Sequence, residues 1–335
     1  MNKARPAFLT LLLALVCSAP QTVQANCGAE GCPLAPRGPE ATLGRFSFSF
    51  GYQAVEQDRR WDGSREITAA QALQADGGLG HILEQYTRTR TTLINADARL
   101  TRRLGISLSL PYVDRIHRHA LAHHANFFVA SEWHMQGPGD ATAIADWTVL
   151  DGSRPGVGVL TLQVGAKLPT GQTSVTAIDG ETPEPSARPG SGSTDALVGV
   201  HYRRSLSAPS LGGRSASVPI TASVSMRHNG KGSEDYRMGN EWNASVGSAY
   251  PLARSVRLLA QLIASWHARD DAGSTDAVPH NTGSSSLLAS PGARVEIVPG
   301  MSAFGYYQFR LYEHSNGPQL VSPHHLNFGI AYTLR

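Results

Sequence analysis

Beyond its first 25 residues the chain has no uninterrupted apolar run of about 18 residues, the length that carries a helix through a bilayer, so no transmembrane helix is encoded. Charge is sparse and balanced: Asp, Glu, Lys and Arg make up 16% of the residues, with 29 basic against 26 acidic. Nucleic acid is not an implied partner. Cysteine is rarer still, with three in 335 residues. A hydrophobic fraction of 41% would suit a globular protein of two or three domains, and composition alone does not decide.

The N-terminus narrows the choice. Lys3 and Arg5 precede an apolar run from Phe8 to Val16, and Val23-Gln24-Ala25 offers small residues for cleavage. Residues 1–25 therefore read as a secretory signal peptide. Lipidation at Cys17 is the weaker alternative, because Val16 is larger than the small residue that such processing needs. Removing the signal leaves 27 basic against 26 acidic residues, a formal charge of +1. Cys27 and Cys32 remain, in a short exported segment over 26–44, and an oxidising compartment favours a small disulfide loop between them, with free thiols or metal ligation as alternatives.

What the chain has in abundance is alternation. Over 325–335, Leu326, Phe328, Ile330, Tyr332 and Leu334 are separated by single small or polar residues, which puts the two sets on opposite faces of an extended strand. Residues 45–53 repeat the pattern with Phe46, Phe48, Phe50 and Tyr52, and residues 104–112 with Leu104, Ile106, Leu108, Leu110 and Tyr112. Further members lie at 158–168, 220–227 and 256–267, with less regular ones at 86–100, 140–150, 195–204, 240–250, 285–298 and 303–312. Together they make about 12 segments of about ten residues, the length of a tilted strand that crosses a bilayer.

Connectors alternate as well. Short ones contain residues 101–103, 151–156, 251–255 and 299–302, and long polar ones cover 54–85, 113–139, 169–194, 228–239, 268–284 and 313–324. Short turns on one side and long loops on the other mark an outer-membrane barrel, with the turns periplasmic and the loops extracellular. A soluble sandwich or barrel also alternates. Here, however, the non-apolar face is Ser, Thr, Gly, Gln and scattered charge, and aromatics gather at strand ends: Tyr52, Tyr112, Trp147, Tyr202, Trp242, Tyr250, Trp266 and Tyr312. Such belts are expected where a barrel meets the membrane interface. The fold expected over 45–335 is therefore an all-β transmembrane antiparallel barrel of the bacterial outer membrane, in contact with outer-membrane lipid.

The last strand, Asn327 to Leu334, resembles the C-terminal signal through which such barrels engage the barrel-assembly machinery, departing from it in the added Arg335. Further motifs are "LSLPYVDRIHRH" (Leu108 to His119), "GPGD" (Gly137 to Asp140), "GAKLPTG" (Gly165 to Gly171) and "PGSGSTDALVG" (Pro189 to Gly199). With the final strand, this ordered set resembles a family of bacterial outer-membrane transporters named for the meta-pathway of phenol degradation, from about residue 100 to the end. The resemblance implies a barrel, a transport role and no catalytic residues.

With the apolar face on lipid, the opposite parity turns Asn95, Asp97, Arg99, Asp146, Lys167, His201, Arg203, Arg227, Arg257, Gln261, Arg294, Glu296, Gln308 and Arg310 toward the lumen. A basic residue facing lipid near the midplane costs about 2 to 4 kcal/mol, so strand charges belong inside. There they either pair and fill the barrel or line a solute path. His117, His119, His123, His124 and His134 in 113–139 are weak candidates for a metal, and a solvated or lumen-lining loop is the plainer reading. "LPTG" reads first as a strand end and turn, with an inward fold that narrows the pore as the alternative. "ITAAQALQADGG" at 67–78 is the one helix-like run.

A lipid hydrolase with Ser and His on the outer wall is a remote reading. Ser233 lies five residues beyond His228, and Ser315 adjoins His314 on the opposite strand face, so neither pair shares a face. The expected function is passive, cofactor-free movement of a small solute, aromatic or otherwise poorly water-soluble by analogy with the family. A closed structural or metal-capturing surface barrel is the runner-up.

Overall fold

The computed structural model describes residues 46–75, 82–124, 127–153, 156–175, 182–209, 215–275 and 279–334, without the side chains of Ile82, residues 121–130 and Ser215. The expected signal at 1–25, the segment 26–44 with Cys27 and Cys32, and Arg335 lie outside the described residues. The elements in chain order are β1 (Phe46–Gln57), β2 (Arg59–Gly63), β3 (Arg65–Ile67), α1 (Ala69–Ala75), β4 (Ile82–Arg99), β5 (Leu104–His124), β6 (Phe127–Pro138), β7 (Thr142–Asp151), β8 (Val159–Lys167), β9 (Asp195–Pro209), β10 (Ser215–His228), β11 (Glu241–Pro251), β12 (Val256–His267), β13 (Ser284–Val298), β14 (Met301–Val321) and β15 (His324–Leu334).

Twelve of these form a closed antiparallel barrel: β1, β4, β5 and β7 to β15, each hydrogen-bonded to its neighbours in the ring. The last strand closes on the first, from Phe46 opposite Leu334 to Val55 opposite His325. Closure removes every sheet edge from the lipid, where an unpaired peptide group costs several kcal/mol.

Period-two alternation sets the outer surface. Every barrel strand contributes exposed large apolar side chains: Phe48 and Phe50 on β1, Ile94 on β4, Leu108 on β5, Trp147 on β7, Val164 on β8, Val200 on β9, Val224 on β10, Val246 on β11, Leu262 on β12, Ile297 on β13, Leu311 on β14 and Ile330 on β15. A continuous apolar belt around a closed sheet has hydrocarbon as its complement. The aromatics expected at strand ends carry outward parity, and Tyr112, Trp147, Trp242 and Tyr312 are well exposed.

Inside, glycine makes room for rings. Phe304 lies over Gly329, where a β-carbon would come within 2.8 Å of its Cζ, and Tyr306 lies over Gly292, where Cδ1 would be 2.7 Å away. At the tight β13–β14 turn, Gly300 takes φ +87°, a conformation that side-chain-bearing residues rarely adopt. Short turns share one end with Phe46 and Leu334, which assigns that end to the periplasm.

Three connectors expected as loops contain regular structure. Residues 113–139 form a hairpin: β5 runs on to His124 and pairs with β6, from Tyr112 opposite Pro138 upward. β14 runs to Val321 and pairs there with β2, against the expectation of a loop over 313–324. Residues 54–85 hold β2, β3 and the helix-like run, which is helical over Ala69–Ala75. Ile67, Ala72 and Leu83 form a small apolar cluster beneath that helix.

Candidate functional site

The inner wall is polar along most of its height, and its accessibility changes from end to end. On the periplasmic side, inward residues of β1, β4 and β5 such as Ser47, Asn95, Asp97 and Ser107 are half-buried, as are Gln163 and Arg203 on β8 and β9, while Thr221, Ala249, Leu259 and Ser302 on β10, β11, β12 and β14 are buried. Toward the extracellular end the inward positions are buried: Gln57, Thr87, Arg115, Asp140, Lys167, Asp195, Arg227, Glu241, His267, Ser284, Glu313 and Ser315. Partial exposure of side chains that face away from lipid means space beside them, so the lumen keeps room below, along β1, β4, β5, β8 and β9, and is filled above.

The sequence-derived lumen residues take inward parity and fall into three levels. Near the short turns, Arg99 and Glu296 are exposed at strand ends, and Arg257 stands opposite Arg294, whose Nε donates to Ser302 Oγ at 3.0 Å. Midway, Asp97 accepts from Ser107 at 2.6 Å and Ser47 at 3.3 Å, Asn95 donates to Ser49 at 3.1 Å, and Asp146 accepts from Gln163 at 2.8 Å. Gln261 is buried beside Gly247, and Gln308 Oε1 lies 3.3 Å from His325 Nδ1. His201 and Arg203 continue this wall on β9. Above, Arg227 pairs with Glu241, with His267 Nδ1 at 3.7 Å from the same carboxylate, and Arg310 pairs with Glu313 and donates to Ser322 O at 2.7 Å.

Lys167 is the centre of the filled end. Its Nζ lies 2.7 Å from Asp140 Oδ2, 3.1 Å from Asp195 Oδ2, 2.5 Å from Ser191 Oγ and 3.1 Å from Ser193 O. Asp140 also accepts the backbone N–H groups of Gly171 and Ser191, each at 2.9 Å. A buried ammonium needs this saturation, since an unpaired one would lose its charge or its burial. The network holds residues 189–193 of the long connector inside the barrel. A β-carbon at Gly171 would lie 2.6 Å from the Cα of Gly190, so the two backbones touch.

From there the connector crosses the mouth. Ala187 is buried against Trp133 and Met135 of β6, and Arg115 of β5 donates to the carbonyl oxygens of Ala187 at 2.5 Å and Ser186 at 3.3 Å. Arg188 donates to Pro183 O at 2.8 Å and pairs with Glu234 at 2.6 Å. On the far side Asp270, just beyond β12, accepts from Tyr236 Oη at 2.5 Å and from the Gly239 N–H at 2.7 Å. Burial pushes the Asp270 carboxyl up to about 6. Burial, with Asp270 nearby, also raises the Glu184 carboxyl.

The four internal motifs thus meet in one place. β5 changes partner there, pairing with β7 through Ser109 and with β6 from Tyr112. Pro111, which has no N–H to leave unpaired, sits at the branch, and its carbonyl accepts from Gly139 at 2.9 Å. As sequence alone, these motifs assign no role to Asp140, Asp195, Ser191 or Arg115. The available signal was Asp and Ser among glycines beside strand ends, where lipid parity says nothing.

The histidines separate. His117 and His119 stack inside the hairpin at a ring distance of 5.5 Å, and His119 packs edge-on to Trp133 at 4.5 Å. Thr87 Oγ1 lies 2.8 Å from His117 Nδ1, and burial, helped by His119 and Arg115, lowers the His117 pKa to about 3. His134 faces outward against Asp114 at 2.9 Å. The side chains of His123 and His124 lie outside those described. Among the described residues no group of three or more His, Cys, Asp or Glu is arranged to hold a metal ion. Ser315 donates to Glu313 at 3.2 Å, while His314 turns the other way to Ser64 at 2.9 Å.

These features define a bacterial outer-membrane β-barrel. No protein-family profile and no curated protein matches the chain. Among solved structures it is similar to an outer-membrane channel from Pseudomonas putida F1, with TM-score 0.56 and 14% identity over 90% of this chain and 99% of that one. Matches to a FadL homologue of Pseudomonas aeruginosa (TM-score 0.42, 10% identity, 87% of this chain and 91% of that one) and to the CymD monoaromatic hydrocarbon channel (0.38, 11%, 94% and 95%) are looser. At these identities the likeness to the Pseudomonas putida channel is one of fold.

Proposed function

We propose that the protein is a channel for passive movement of a small solute across the outer membrane. The observation that carries this reading is the space beside the half-buried polar side chains of β1, β4, β5, β8 and β9: a barrel that served only as a surface post would have no need of it. Selection would rest on lumen width and on the groups that line it, among them Asp97, Arg99, Asp146, Arg203, Arg257, Arg294 and Glu296. An aromatic or otherwise poorly water-soluble solute is in keeping with the phenol meta-pathway resemblance and with Phe304 and Tyr306, half-buried on the inner wall with ring centroids 6.4 Å apart. The fold shared with the Pseudomonas putida channel agrees with this role. The last strand, β15, is the segment through which the assembly machinery would take up the chain.

A second reading is favoured by a different observation. The extracellular end is filled by buried ion pairs and by the connector that crosses it, which suits a closed barrel. Liposome swelling separates the two. Vesicles carrying the folded barrel should swell in small neutral sugars at a rate above protein-free vesicles, and a rate equal to the control would favour the closed barrel.

A further inference from the structure

The connector between β8 and β9 is unlike the strands that flank it. Residues 182–194 carry no ladder, and their few backbone bonds are scattered: Gly190 N–H to Gln172 O at 2.9 Å, Ser233 N–H to Ser191 O at 3.0 Å and Ala187 N–H to Glu184 O at 2.9 Å. Side chains of other elements set its position instead. At one end Lys167, Asp140 and Asp195 hold Ser191 and Ser193. In the middle Arg115 holds two carbonyl oxygens, and Ala187 sits in an apolar seat of Trp133 and Met135. Next to it Arg188 reaches Glu234 in the β10–β11 connector.

Ring order turns these contacts into geometry. With β1 first in a ring of twelve, the Arg115 anchor belongs to the third strand and the Lys167 and Asp195 anchors to the fifth and sixth, while Glu234 lies between the seventh and eighth. The strap therefore stretches over the mouth from the β5–β6 hairpin toward the β10–β11 connector. A segment so held can move without breaking any barrel rung, because its anchors are side chains. The Lys167 cluster is the anchor with the most bonds, and it is also the part of the strap that lies inside the wall.

We propose that residues 182–194 are the solute filter of this channel, and that Lys167 is the positioning residue that holds the filter across the mouth. The inference rests on the channel reading given above. Asp140 and Asp195 complete the latch, and Gly171 with Gly190 lets the strap approach the wall closely enough for Ser191 and Ser193 to reach it.

The test uses neutral sugars of rising size and a second readout that does not depend on flux. Lys167→Met alone would leave two buried carboxylates without a counter-charge, so the informative variant is Lys167→Met/Asp140→Asn/Asp195→Asn, with heat-modifiable gel mobility as the check that the barrel has closed. Position 187, 1% exposed in the folded chain, reports the strap: Ala187→Cys, in a background with Cys27→Ser and Cys32→Ser, is probed with a water-soluble maleimide. With the latch intact the thiol should stay protected and trisaccharides should pass slowly. In the triple variant the thiol should react, and trisaccharide swelling should rise roughly fivefold or more, with a smaller gain for pentoses.

If wild-type vesicles swell and the closed triple variant keeps the same size cut-off, the filter proposal is overturned while the channel reading stands. If the wild type is silent and the triple variant conducts, the strap is the barrier, and the proposal holds in the stronger form of a plug. If neither conducts although the thiol becomes reactive, the channel reading fails and takes the filter role with it.

Discussion

Single side chains in this barrel answer to whichever of three surroundings they face: lipid, lumen or the packed mouth. Val164 is 62% exposed on β8, and its neighbour Gln163 faces inward to Asp146. Val164→Arg should lower stability by roughly 2 to 4 kcal/mol if it lies near the bilayer midplane, and Gln163→Arg should cost much less. Urea titration of the two variants in lipid vesicles checks the difference, and equal losses would mean that the lipid face is misassigned. His117 belongs to the third surrounding. Its folded pKa of about 3 lies below its ordinary value of 6.5, so the folded state carries no penalty from this group above pH 6.5 and loses stability as the pH falls from there toward 3. Asp270 runs the other way: with its pKa raised from 3.8 to about 6, its contribution is present below 3.8 and lost as the pH rises through 6. The ring carbons of His117 should therefore show no titration between pH 8 and 5 by NMR in micelles, where an exposed histidine would complete most of its shift.

Elements were legible in the sequence wherever hydrocarbon enforces the period. All twelve barrel strands lie over segments that alternate, because lipid selects large apolar residues at every second position and rejects charge. Above the membrane that selection ends. In the β5–β6 hairpin the outward positions hold Asp114, Arg118 and Glu132, the last two joined as an ion pair in water, while His117 and Trp133 face inward. The strand continues but the apolar face has changed sides, and a reading keyed to lipid ends it at Tyr112. The strap was illegible for another reason. Its burial depends on partners 24 to 72 residues away in the chain, from Lys167 with Ser191 to Arg115 with Ala187, and no local pattern announces them. The barrel ladder below Tyr112 does not include the hairpin, which yields a prediction at this scale. Replacing residues 116–134 by a two-residue turn should leave a barrel that still resists SDS without heating, because β5 keeps β4 and β7 as partners below. A protein that no longer closes would show that the hairpin is needed for closure.

The whole molecule combines a belt that fits a membrane with an interior that differs at its two ends. The belt and the closure were readable from periodicity and connector lengths, since both follow from the bilayer's thickness and its lack of hydrogen-bond partners. The parity of the lumen residues followed from the same rule. Which of them pair, and at which level, did not, because the register between neighbouring strands decides who meets whom: Lys167 stands directly opposite Asp195 in the β8–β9 ladder and beside Asp140 just before β7.

Since the strap packs only the extracellular mouth, the barrel resembles a cup with a pierced floor, and its rim lies on the short-turn side. Crowding polymers thin enough to enter that rim should depress ionic current when placed in one bath and leave it almost unchanged in the other. A bilayer recording would then report, molecule by molecule, which way up each cup had inserted.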